Sequence, residues 1–144
     1  WRMVSSTTTA LAELGSSVFA GGGHKYAFKS LGDDGELVAA VTGTKIRVLS
    51  MYASCNDIDE IKSVHLEDGT TQIGPKFFAG ALVTVPATTT GTEHSFHMPP
   101  FVLPFSPAGW CETSSGAALN AEFSAAMTTG KVEFMIVYDE IKAG

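Results

Sequence analysis

Between residues 99 and 126 the chain reads PPFVLPFSPAGWCETSSGAALNAEFSAA, and its prolines restrict the fold more than any other feature of the sequence. Proline fixes φ near −65° and has no backbone N–H to donate. With Pro99, Pro100, Pro104 and Pro107 so close together, the segment is excluded from a helix and from the middle of a sheet. Ser106-Pro107-Ala108-Gly109 has the chemistry of a type I turn, proline second and glycine fourth. Thr113-Ser114-Ser115-Gly116 reads as a second turn closed by glycine, of the kind that joins a hairpin through a bulge. Beyond it Leu119, Ala121 and Phe123 alternate with Asn120, Glu122 and Ser124, the period of a half-buried strand. The proline segment is therefore expected as the corner piece of an all-β domain.

The rest of the chain from His24 onward supports that class. HKYAFKS alternates Tyr26 and Phe28 against Lys25 and Lys29, GDDGE is a turn, and ELVAAV follows it. KIRVLSMYAS is rich in β-branched and aromatic residues, and IKSVHLE sets Val64 and Leu66 on one face. Asp68-Gly69 and Gly74-Pro75 are strong breakers. FFAGALVTV is apolar enough for a buried strand, and Pro86 opens the Thr-rich PATTTGTE loop. KVEFMIVYDEI places Val132, Phe134, Ile136 and Tyr138 on one face. Short strands at about 8–12-residue spacing predict a sandwich or barrel.

Residues 1–23 differ. They are rich in Ser, Thr, Ala and Gly, almost uncharged, and end in Gly21-Gly22-Gly23. Such composition packs little core of its own and reads as an N-terminal extended arm ahead of a β-sandwich domain at 24–144. Leu11, Leu14 and Val18 have helical spacing, but one or two turns are marginal alone. Trp1, Met3, Val18 and Phe19 are costly to leave in water, so the arm is either a frayed terminus or a segment that orders against a partner. No continuous apolar core of a secretory signal is present here.

Bulk properties exclude several function classes. The net charge is −6 with nine Lys plus Arg, so no basic stripe exists to displace counterions from nucleic acid or to hold an anionic membrane. No apolar run approaches the roughly 18 residues of a spanning helix. Cys55 and Cys111 are too few for a disulfide framework and are expected as buried thiols.

Catalytic patterns are likewise not met. His94-x-x-His97 invites a metal reading, with His65, His24 and the cysteines as further ligands, but positions three apart on a strand point to opposite faces. No metal or cofactor is expected. Ser114-Ser115-Gly116 lacks a nucleophile elbow, and Cys111, beside Trp110 and Glu112, sits where a thiol pKa should rise. The acidic clusters at 32–36 and 56–60 lack EF-hand spacing and read as solvated turn charges. Paired carboxylates for glycoside hydrolysis stay open until geometry is known. Trp110, following Gly109 in a turn, fits a core residue, a sugar-stacking platform or a subunit anchor.

The segment FVLPFSPAGWCETSSGAALNAEFSAA resembles a motif of small structural proteins of tailed bacteriophages. That motif is a Pro-Phe-x-Pro-x-Gly-Trp turn, Glu-Thr, two small residues, a glycine, and an Ala-Leu-Asn strand ending in Ser-Ala-Ala. GTKIRVLSMYAS and LEDGTTQIGP agree more weakly, so the likeness spans about residues 43–138. Cys111 stands where an aromatic residue is commoner and Ala117 where Glu is frequent; the first 42 residues carry no part of it. Head decoration (cement) proteins are the best fit. The resemblance implies a jelly-roll-like β-sandwich on the capsid exterior of a virion, made in the host cytoplasm. It further implies a non-enzymatic role bridging neighbouring copies of the major capsid protein, often as a homotrimer. Trp1, Met3, Leu11, Leu14, Val18, Phe19 and Trp110 are the candidate interface residues. The rival reading is a receptor- or glycan-binding module, with Trp110, Tyr52 or Phe101 as platforms beside Asp57 and Asp59; a hydrolase built on acidic turns is a third.

Overall fold

The computed structural model describes residues 23–56, 61–85, 94–97 and 99–143, all outside helices. Among these residues eleven strands occur in this order: β1 (Lys25–Leu31), β2 (Gly35–Val38), β3 (Thr44–Cys55), β4 (Ile61–Asp68), β5 (Thr71–Gln72), β6 (Phe77–Val85), β7 (His94–His97), β8 (Phe101–Leu103), β9 (Cys111–Glu112), β10 (Leu119–Phe123) and β11 (Val132–Lys142). They form two antiparallel sheets. The first runs β1-β11-β3-β8, with β9 also on β3; the second runs β2-β10-β4-β6-β7, with β5 also on β4. The protein is an all-β sandwich.

Period-two alternation builds the core between the sheets. Along β11, Val132, Phe134, Ile136 and Tyr138 face inward, and along β10, Leu119, Ala121 and Phe123 do the same. Val64 and Leu66 of β4, and Phe77 and Ala79 of β6, complete the second sheet's inner face. Phe134 meets Phe77 and Phe123 edge to face, at centroid distances of 6.4 and 6.5 Å. Each such buried side chain contributes about 1.5–3 kcal/mol of transfer free energy. The rings tie the two sheets together.

In β3 the alternation changes phase. Ile46 and Val48 face inward, then Met51 and Ala53. The register explains this: Tyr138 opposes Val48 while Val137 opposes Ser50, so Leu49 is the extra residue of a β-bulge. Leu49 is fully buried yet stands outside the inter-sheet core. Its carbonyl accepts the N–H of Ser106, and that of Val48 accepts the N–H of Trp110. The proline excursion thus packs over the bulge.

Two expectations are corrected at this point. The proline segment is not a corner but an interrupted edge strand: β8 and β9 pair with the same side of β3, and Pro104–Trp110 loops out between them. An edge tolerates missing donors, because a strand there needs partners on one side only. The turn at Ser106–Gly109 forms as expected, with Gly109 N–H donating to the Ser106 carbonyl. The second turn forms one residue later than expected, its Ala117 N–H donating to the Ser114 carbonyl, and it carries the chain from one sheet to the other instead of closing a hairpin. Thr113 anchors the crossing: its N–H donates to the Ile46 carbonyl and its Oγ1 accepts the Ile46 N–H.

Candidate functional site

Of the candidate interface residues, Trp1, Met3, Leu11, Leu14, Val18 and Phe19 lie outside the described residues, as do Asp57 and Asp59. Trp110 is described and is not a core residue. It is 48% exposed at the edge of the first sheet, its indole N–H donating to the Pro104 carbonyl at 2.7 Å. Phe101, proposed as a glycan platform, instead stacks on Phe77 at 4.4 Å with nearly parallel planes. It belongs to the core's margin.

The outer face of the first sheet carries an apolar band, with Glu133, Ser54, Asp139 and Arg47 beyond it on the same side. In β1, Ala27 and Leu31 pack against the core while Tyr26 and Phe28 point out, 75% and 61% exposed. The strand alternates as its sequence implies, but its aromatic side faces solvent. Register continues the pattern across the sheet: Phe28 opposes Met135, Met135 opposes Tyr52, and Tyr52 opposes Val102. All four are exposed. A shallow groove of about 250 Å³ runs between Tyr52, Val102, Phe105, Met135 and Val137. Phe105 extends this face, its ring 5.4 Å from that of His24, which is itself held by Asp139 at 2.7 Å. An antiparallel sheet with one solvated face ordinarily alternates apolar inside and polar outside. At about 150–250 Å² per aromatic side chain, these residues present on the order of 600 Å², the upper end of what a typical monomer exposes.

The second sheet's outer face has opposite chemistry. His65 and Glu67 are two apart on β4 and so share a side, and Glu122 of β10 lies directly opposite His65. His65 Nε2 is 3.3 Å from Glu122 Oε2 and 3.6 Å from Glu67 Oε2. Glu67 is only 9% exposed, and no N–H or O–H donates to its Oε2; Glu122 can pair with it only by sharing a proton between the two carboxyls. The Glu67 carboxyl is pushed up to about 7, first by the hydrogen bond shared with Glu122, then by burial and the charges of Glu122 and Asp34. Beside it an open groove of about 250 Å³ is lined by Asp34, Gly35, Glu36, Glu67, Asn120 and Ala121.

The remaining candidates resolve into structural roles. Asp34 is not merely a solvated turn charge, for its Oδ1 accepts the Phe123 N–H at 2.7 Å. Asp68 accepts the Ser114 N–H, tying the inter-sheet turn to β4. Arg47 reaches Glu112 on the neighbouring strand at 2.6 Å. Cys55 and Cys111 form no disulfide. Cys111 opposes Val48 while Cys55 ends the same strand seven residues on, roughly 20 Å away at strand rise, far beyond bridging distance. His94 and His97 lie in β7. No family model matches the chain, and no curated protein matches it.

Proposed function

We propose that the chain is a capsid decoration protein of a tailed phage, a non-enzymatic domain that binds the shell's exterior and bridges neighbouring copies of the major capsid protein. The observation that carries this reading is the row Phe28–Met135–Tyr52–Val102, which lays an apolar band across the full width of a well-paired sheet's outer face. Exposed apolar surface of that extent is a liability unless something covers it. A protein that clamps two subunits stabilises the shell by its binding free energy. Self-association as a homotrimer would multiply modest contacts into avidity. Trp110 at the rim, rigid and half-exposed, suits an anchor. The motif around it, FVLPFSPAGWCETSSGAALNAEFSAA, supports the same reading.

Co-sedimentation with capsid shells stripped of decoration tests it. The wild-type chain is expected to pellet with the shells, and a Met135→Asp variant to remain in the supernatant while keeping its circular dichroism spectrum. Deleting residues 1–19 is expected to leave the sandwich folded and to weaken attachment. A chain that never pellets with shells, yet scores on a glycan array through Tyr52 or Trp110, would instead establish the glycan-binding reading.

A further inference from the structure

We infer that His65, Glu67 and Glu122 form a binding site for one divalent transition-metal cation of the zinc type. The site rests on the second sheet's outer face and is independent of the capsid reading.

The backbone brings the three groups together without any loop. Positions 65 and 67 share a side of β4 because strand side chains alternate, and the β4–β10 register sets Glu122 opposite His65. One donor atom from each residue lies within 4.8 Å of the other two. Around a tetrahedral zinc ion with bonds near 2.0–2.1 Å, ligand atoms stand about 3.3–3.4 Å apart. The imidazole nitrogen stands 3.3 and 3.6 Å from the two carboxylate oxygens. Little movement is needed to close such a shell.

A second observation is independent of that spacing. Glu67 is 9% exposed as a residue and 12% in its side chain, and its Oε2, 3.6 Å from His65 Nε2, is itself buried with no N–H or O–H donor. A buried carboxylate oxygen left unsatisfied is costly, and a cation at the centre of the cluster would meet it. Two carboxylates and a neutral imidazole match a divalent ion in charge as well. The nitrogen donor and the tetrahedral spacing favour zinc-like ions over calcium, which takes six to eight oxygens, and over magnesium, which keeps several waters. Access is provided: the side chain of Glu122 is 43% exposed while those of His65 and Glu67 are shielded. Asp34 and Glu36 line the adjoining groove and add negative potential. Three protein ligands leave a fourth position open to water or to a donor from outside the chain.

The test is isothermal titration of the untagged, EDTA-treated full chain with zinc chloride at neutral pH, alongside thermal denaturation with and without the ion. We expect one Zn²⁺ per chain, a higher thermal midpoint with zinc, and no comparable shift with Mg²⁺. Glu122→Gln, on the most exposed ligand, should fold normally and bind at least about tenfold more weakly, and His65→Gln should do the same. Cobalt(II) in place of zinc should give the visible absorption of a four- or five-coordinate site, lost in Glu122→Gln. Absence of stoichiometric zinc at about 100 μM free ion would overturn the inference. So would equal affinity in wild type and Glu122→Gln, because the ion would then be held elsewhere.

Discussion

Thr113 does at one position what a strand would do over several. It is buried and exchanges two hydrogen bonds with Ile46, one through its N–H and one through its hydroxyl oxygen. Replacing it with valine keeps the shape but leaves the buried Ile46 N–H without an acceptor. That loss should cost about 1–3 kcal/mol, seen as a lower urea midpoint with an unchanged slope. Gly109 carries a different constraint. Its φ is +81°, and a Cβ there would overlap the Cγ of Arg47. Gly109→Ala should destabilise by about 1–3 kcal/mol and displace Arg47 from Glu112. The same denaturation measurement reads the first effect, and a double-mutant cycle with Glu112→Gln reads the second. Cys111 supplies the pH dependence at this scale. Burial first, then the Glu112 charge, pushes its thiol up to about 11. Only about one molecule in a thousand is then thiolate at pH 8, against about one in four for an ordinary thiol. Iodoacetamide should therefore label Cys111 more than about 100-fold more slowly than a free thiol at pH 8, the rate rising about tenfold per pH unit until near 11.

Among the strands, those with strong alternation were legible in the sequence and those defined by their partners were not. Val132, Phe134, Ile136 and Tyr138 announce β11, and Leu119, Ala121 and Phe123 announce β10, because burial on one face leaves a period of two. β8 and β9 have three and two residues, too few for any period, and exist only because β3 offers a bonding edge. The glycine turn after Thr113 showed its residues to within one position but not its destination, since the same chemistry serves a hairpin or a crossing between sheets. For the candidate sites the limit is register. Period-two spacing places His65 beside Glu67, yet Glu122, 55 positions beyond Glu67, joins them only through the β4–β10 pairing, which no local pattern encodes. The alternation of β1 has a related limit: it shows that two faces differ, not which is inside, and here the aromatic one faces solvent. Pairing also predicts where the molecule opens. β11 is paired to β3 from Val132 to Lys142 and to β1 on its other side. Amides of Phe134, Ile136 and Met51 should thus exchange only through global unfolding, while those of β1 and β9, at the edges, exchange through local opening. Hydrogen exchange resolved by residue would contradict this if β1 proved as protected as β11.

Taken whole, the molecule has two outer faces separated by a core, one crossed by an apolar band and one carrying an acidic cluster with a histidine at its centre. Nothing in the interior requires this division, because the inward residues alone account for the packing of the sheets. The outer residues are thus free to vary at little cost to the fold, and that makes adhesion separable from stability. Phe28 and Met135 are direct cross-strand neighbours on the apolar face. Replacing them together by Phe28→Lys and Met135→Glu exchanges an apolar pair for opposite charges facing each other, a pairing that contributes about 0.2–1 kcal/mol. Surface substitutions of this kind usually stay within about 0.5 kcal/mol, so the thermal midpoint should hardly move. Association should respond instead, because the pair makes up half of the row from Phe28 to Val102, and burying unmatched charge against an apolar partner is costly. Light scattering after size exclusion is expected to find the wild-type chain in oligomers and the double variant as monomers of 15.1 kDa. Oligomers that survive in the variant would move the self-association surface off the first sheet, while a monomeric wild-type chain that still binds capsid shells would assign that face to the shell alone.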